Sequence, residues 1–260
     1  MTRPGAVPGS DGVDRSTPRV RAVRAQTAME LKLLVRSSES LLVTFGIPLG
    51  VLVFFSLVDV LPTGDGDPVD FLVPGVLAIS VVATGLVAIG IQTAFERKYA
   101  VLKRLGGTPL GRGGYLVAKA LAVAVLLLVQ TALVVLVATV GLGWRPQGGL
   151  LLAPLLVVLG AVTATSLGLL LAGTLRAEAT IAATNALFLL LLVVSGVTFS
   201  ADALPAPLAA IGTASPMGAL GQALAVALAG DGLAVVPTMA LLLWAVAGVG
   251  LGARTFRWEP

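Results

Sequence analysis

The chain has 260 residues, a formal net charge of +4, and is 57% hydrophobic but only 12% charged. Soluble domains hold about 25% charged residues, so this charged surface is too small to cover a water-facing globule, and a mean hydropathy of +1.01 points to lipid as solvent. With no cysteine and no histidine, thiol redox chemistry, disulfides, the usual zinc and haem ligands, and Ser-His-Asp or Cys-His catalysis are excluded.

Residues 1–17 are rich in Pro, Gly and Ser and read as a disordered cytoplasmic tail. They lack the basic, apolar and small-residue succession of a cleaved signal peptide. Thr17-Pro18 then opens a helix, with Thr as cap and Pro in the first turn. Val20, Val23, Thr27, Leu31 and Leu34 recur at spacings of three and four, while Arg21, Arg24, Lys32 and Arg36 lie off that stripe. The pattern predicts an amphipathic helix over 18–38 lying along the membrane interface. A merely solvated juxtamembrane helix is its alternative.

Six stretches meet the about 20 apolar residues that a crossing of about 30 Å of hydrocarbon needs. They cover 41–58, 71–94, 115–142, 150–175, 180–199 and 233–252. Charged residues fall only near their ends, as expected where each mid-membrane charge costs about 2.5–3.5 kcal/mol. The fold class predicted is therefore all-α integral membrane, with a six-helix domain over 39–258. Pro48 should kink the first span, and the pairs Gly46/Gly50 and Gly248/Gly252 would allow close helix packing. Residues 200–232 are nearly uncharged, and the apolar run 217–229 is too short to span. With Pro205, Pro207 and Pro216 breaking it, this region reads as short external re-entrant helices between spans five and six.

Orientation follows from the basic residues. With the N-terminus inside, segments 1–40, 95–119, 176–179 and 253–260 hold all but one of the 17 lysines and arginines. The other side keeps Arg145, against Asp59, Asp65, Asp67, Asp70, Asp202 and Asp231. That asymmetry predicts both termini in the cytoplasm and accounts for the high isoelectric point without nucleic acid.

In the longest cytoplasmic loop, Phe95, Tyr99, Leu102 and Leu105 repeat at four, three and three, one apolar face of a short helix. Glu96, Arg97, Lys103 and Arg104 occupy the rest of its surface, and Gly106-Gly107 with Pro109 stop it. The plainer alternative is a basic loop that only anchors topology. Inside the spans the polar residues are neutral: Gln92, Gln130, Thr163, Thr165, Ser166, Thr184, Asn185, Ser195 and Thr198. Asn185, Ser195 and Thr198 form a candidate substrate path, with helix-to-helix hydrogen bonding as the alternative role for Asn185. The lack of intramembrane acids disfavours a proton-driven antiporter, and the lack of paired carboxylates, ligands or an activated nucleophile disfavours an intramembrane enzyme.

The run Glu96-Arg97-Lys98-Tyr99, then Leu102-Lys103-Arg104-Leu105 and Thr108-Pro109-Leu110, resembles the coupling-helix region of ABC type-2 permeases, most of all the bacterial drug and antibiotic exporters. Ser195-Gly196, Leu204-Pro205, Ser215-Pro216 and Gly230 follow the same family's succession of external helices, so the resemblance covers residues 18–258. Ala100 stands where the family often has Gly, and Lys98 where it often has a second acid. The resemblance implies a permease that exports a drug, antibiotic or lipid across a bacterial plasma membrane. It implies two ABC ATPase subunits and a second permease protomer, identical or related. Phe95, Tyr99 and Leu102 would dock in or brace against the ATPase, with Leu105 on the same face and Glu96, Arg97, Lys103 and Arg104 as rim charges. The chain has no Gly-x-x-x-x-Gly-Lys-Ser/Thr, so ATP and Mg²⁺ would sit in the partner subunit. A non-transporting assembly or immunity factor and an ATP-independent transporter are the competing functional readings.

Overall fold

In hydrocarbon the backbone must satisfy its own hydrogen bonds, which leaves helices as the solution for apolar runs of this length. The computed structural model describes residues 18–36, 42–58, 67–102, 110–197 and 205–256, and every regular element among them is a helix. Helix α1 is Pro18–Arg36. A π-helical turn at Leu42–Gly46 leads into α2, Ile47–Leu57. Helix α3 runs over Pro68–Lys98 with a π-helical stretch at Ala83–Ala88. Helix α4, Gly111–Leu136, continues as a π-helical turn at Val137–Gly141. Then come α5 (Leu152–Thr174), α6 (Ala177–Val194), α7 (Ala206–Ala214), α8 (Pro216–Leu228) and α9 (Val235–Thr255).

Helices α3, α4 with its π turn, α5, α6 and α9 are long and apolar enough to cross a bilayer, and they coincide with the second to sixth predicted spans. The first is represented by an apolar helix over Thr44–Leu57, about 21 Å long at 1.5 Å per residue. Residues 37–41 and 59–66, on either side, lie outside the described residues. Helices α7 and α8 meet at 79°, and ten of the 13 residues of α8 are buried. The chain is thus an all-α integral membrane protein with five spanning helices among the described residues, or six if the bent pair counts as one.

Local chemistry sets the element boundaries. Asp67 caps α3 by accepting from the Val69 N–H at 3.0 Å, with Pro68 in the first turn. Ser215 caps α8 by accepting from Gly218 N at 3.2 Å and donates its own proton to the Gly212 carbonyl at 2.6 Å. Pro48 cannot supply the N–H that the Thr44 carbonyl would receive from four residues on. Gln130 of α4 supplies one instead, through Nε2 at 2.8 Å.

Helix α5 runs through the centre, packed against α3, α4, α8 and α9. Leu77, Val81 and Leu86 of α3, Val157 of α5, Leu220 of α8 and Leu241 of α9 are buried in a single core. By contrast α6 and α9 turn Leu189, Leu190, Val193, Leu243 and Val246 outward, an apolar surface suited to lipid or to another membrane protein. At one end of the bundle α1 lies against the start of α4, where Thr27 Oγ1 donates to the Ala118 carbonyl at 3.4 Å. At the other end Trp144 donates to Asp70 at 2.7 Å and Gln147 N to the Leu228 carbonyl at 3.0 Å.

Candidate functional site

Helix α3 does not stop at residue 94 as predicted but continues one turn further, to Lys98. Tyr99 N then bonds the Phe95 carbonyl at 2.9 Å, Ala100 N bonds the Arg97 carbonyl at 3.0 Å, and Ala100 takes a left-handed φ of 58°. Helix resumes at Val101 and Leu102, and residues 103–109 lie outside the described residues. The predicted single helix over 95–105 is therefore broken in two, because the left-handed turn redirects the chain. In that conformation an L side chain costs about 1–2 kcal/mol. Ala100→Gly is expected to stabilise the protein by about 1 kcal/mol, the gain being partly offset by glycine's greater freedom when unfolded. A thermal melt of the purified variant in detergent checks this.

The break separates the residues predicted to share one apolar face. Phe95 is half-buried against Ala94, Ala172 and Ala177. Tyr99 is 65% exposed and stacks on Phe95 with ring centroids 6.1 Å apart. Leu102 is fully buried in a small core with Leu110 and Tyr115, so it braces the bundle and is not open to a docking partner. An aspartate at that position would disturb the fold itself. Lys103, Arg104 and Leu105 lie outside the described residues.

The predicted rim charges Glu96 and Arg97, and Lys98 beside them, are engaged with neighbouring helices. Consecutive helical residues point about 100° apart, and these three reach three different helices. Arg97, only 7% exposed, donates to the Leu175 carbonyl just past the end of α5. Lys98 pairs with Glu178 of α6, with side chains 45% and 67% exposed, a pair that water screens and weakens. Glu96 turns inward to α4.

There it joins a buried ionic cluster. Lys119 of α4 is fully buried, with Nζ 2.8 and 2.7 Å from the two carboxylate oxygens of Glu96 and 3.3 Å from Glu30 Oε2 of α1. The Tyr115 hydroxyl donates to Glu96. Gln92 Nε2 donates to Glu96 at 2.9 Å and to Glu30 at 3.4 Å, and Gln26 Nε2 donates to Glu30 at 2.8 Å. Lys119 also lies 5.0 Å from the Tyr115 ring centroid. One ammonium thus serves two carboxylates and three of their four oxygens, Gln26 donates to the fourth, and Gln92 and Tyr115 add second bonds, as a low-dielectric interior demands. The cluster joins α1, α3 and α4, and through Arg97 and Lys98 the same turn of α3 reaches α5 and α6.

Sequence reading places Lys119 among loop charges and does not single out Glu30, Gln92 or Tyr115 as partners. The available signal was three polar pairs spaced by four, Gln26/Glu30, Gln92/Glu96 and Tyr115/Lys119, each on one face of its helix. Of the predicted substrate path, Asn185 and Ser195 are among the described residues. Asn185 is exposed on α6, with its amide donating to the Ile181 carbonyl of its own helix at 2.8 Å. Ser195 is buried at the far end of α6, beside a pocket of about 160 Å³ that Phe71 and Gln222 also line. Ten residues of helix, about 15 Å, separate the two, and Thr198 lies outside the described residues.

The family model described as ABC-2 type transporter matches residues 21–229, from the first turn of α1 to just past α8, and so includes the whole ionic cluster. Comparison with curated proteins gives no match.

Proposed function

The chain belongs to the ABC-2 type transporter family, and from that membership we propose that it is the permease of an exporter driven by a separate ATPase. Two ATPase subunits hold ATP and Mg²⁺, and a second permease protomer, identical or related, completes the pathway. The complex sits in a bacterial plasma membrane with both termini of this chain cytoplasmic, a reading supported by the skew of basic residues toward the α1 side. The substrate is a hydrophobic or amphipathic molecule (a drug, antibiotic or lipid) taken from the cytoplasm or inner leaflet. Support for that class comes from spans walled by Leu, Val and Ala with few polar groups.

The observation that carries the coupling reading is the break at Tyr99–Ala100. It leaves an aromatic ring 65% exposed, directly beyond the turn whose three charged residues tie α3 to α4, α5 and α6, and through Lys119 to α1. An ATPase pressing on Tyr99 moves a segment already fastened to most of the bundle, so a small push acts on several spans together.

Co-purification in mild detergent tests the proposal. A companion carrying P-loop and ABC signature sequences is expected, and Tyr99→Ala is expected to weaken its retention by about 2 kcal/mol, roughly thirtyfold in dissociation constant. The exposed position leaves the fold of this variant intact. Absence of any ATPase, with nucleotide present, would favour the assembly-factor or ATP-independent readings instead.

A further inference from the structure

Between α4, α5 and α9 lies an apolar groove of about 380 Å³, within the range of about 300–1,000 Å³ typical of small-molecule sites. Leu121, Val162 and Val249 form walls, and Phe256 lines it near α1. At Gly252 an added Cβ would meet nothing within 4 Å, so the groove is open there.

One hydroxyl beside the groove has no hydrogen-bond partner. The hydroxyls of α5 otherwise fold back on carbonyls: Thr163 to Leu159 at 2.9 Å, Ser166 to Thr163 at 2.8 Å, Thr174 to Leu170 at 2.8 Å. Thr165 is 1% exposed, lines the groove, and its Oγ1 has no hydrogen-bond partner. It falls on the stripe Val158, Val162, Thr165, Leu169 that α5 presents to the groove. A buried hydroxyl left unpaired is destabilising, so a ligand oxygen there completes it.

Depth narrows the ligand. Thr165 is nine residues, about 13 Å, from the end of α5 at Thr174, close to the middle of a hydrocarbon layer about 30 Å thick. Phospholipid ester oxygens sit at the edges of that layer, and acyl chains carry no oxygen at its centre. We infer that the groove binds a compact apolar molecule with one hydrogen-bonding oxygen inside its apolar body, such as a diaryl ketone or hydroxylated ring system, held on Thr165. This names a substrate class for the permease and rests on that reading.

Benzophenone supplies both the shape and a photoreactive carbonyl. The full chain in lipid nanodiscs is irradiated with it, without any ATPase, and adducts are mapped by mass spectrometry. Adducts are expected to concentrate on the groove-lining residues of α4, α5 and α9. Thr165→Val should cut them about five- to tenfold, Thr165→Ser should retain them, and Gly252→Leu should abolish them by filling the space. Adducts spread evenly over the outward faces of α6 and α9, or groove adducts unchanged by Thr165→Val, would overturn the inference. A lipid-filled groove gives the first result and purely apolar binding the second. Either failure leaves ATPase coupling untouched, and loss of the ATPase partner would not alter the adduct map.

Discussion

Lys119→Met is expected to destabilise the protein by about 3–5 kcal/mol, the range seen when one partner of a buried ion pair is removed. The reason lies in what remains: Glu30, 2% exposed, and Glu96, 17% exposed at its side chain, would face each other with no ammonium between them. Their neutral donors, Gln26, Gln92 and Tyr115, solvate two like charges poorly where water is scarce. Neutralising the acids as well should recover most of the loss, so the triple variant Lys119→Met, Glu30→Gln, Glu96→Gln serves as the rescue. Lys98→Met removes an equally charged lysine from an exposed pair and should leave stability unchanged. The detergent mole fraction at half-unfolding, followed by circular dichroism, measures all three. An unchanged midpoint for Lys119→Met would mean that water reaches the cluster freely and that it does not lock α1 to α3 and α4.

What was legible in the sequence was whatever depends on length and composition. Five spans show as apolar runs near 20 residues because the bilayer sets that length. The short buried α8 shows because the 13 residues that Pro216 opens are too few to cross on their own. The ionic cluster was hidden for the opposite reason. Hydropathy falls at Glu96, yet the helix continues to Lys98, since helical hydrogen bonding is indifferent to the charge of its side chains. Whether Glu96 and Lys119 face water or each other depends on how α3 meets α4, a tertiary fact that no local window contains. Ala100 misled in a similar way: the periodicity from Phe95 to Leu105 is sound for a continuous helix, and one left-handed residue cancels it. The resemblance to type-2 permeases survived these errors because it rests on the order of segments along the chain, whereas Asn185 and Ser195 were grouped only by polarity.

Adding a single methyl at Gly168 is expected to cost about 3 kcal/mol or more, at the upper end for overpacked cores, although alanine is the better helix former. A Cβ there would lie 2.5 Å from the Gly85 carbonyl oxygen and 2.8 Å from that of Leu86. Backbone atoms cannot rotate out of the way, so α3 and α5 must separate. The reciprocal position is as tight, since a Cβ on Gly85 would sit 2.7 Å from the Ala164 methyl and 2.8 Å from Thr165 N. This crossing occurs within the π-helical stretch Ala83–Ala88, where the wider turn sets carbonyls off the regular helical path. Gly250→Ala in α9 is the control. Its Cβ would meet nothing within 4 Å, so the same change should be neutral or stabilising by up to about 1 kcal/mol. Opposite signs for one chemical substitution in two apolar helices would locate the close contact without a further structure. Equal, small effects would show that α3 and α5 are not in backbone contact. The turn beside Tyr99 would then hold α5 only at its end, through Arg97 on the Leu175 carbonyl and Phe95 against Ala172, and not along its length.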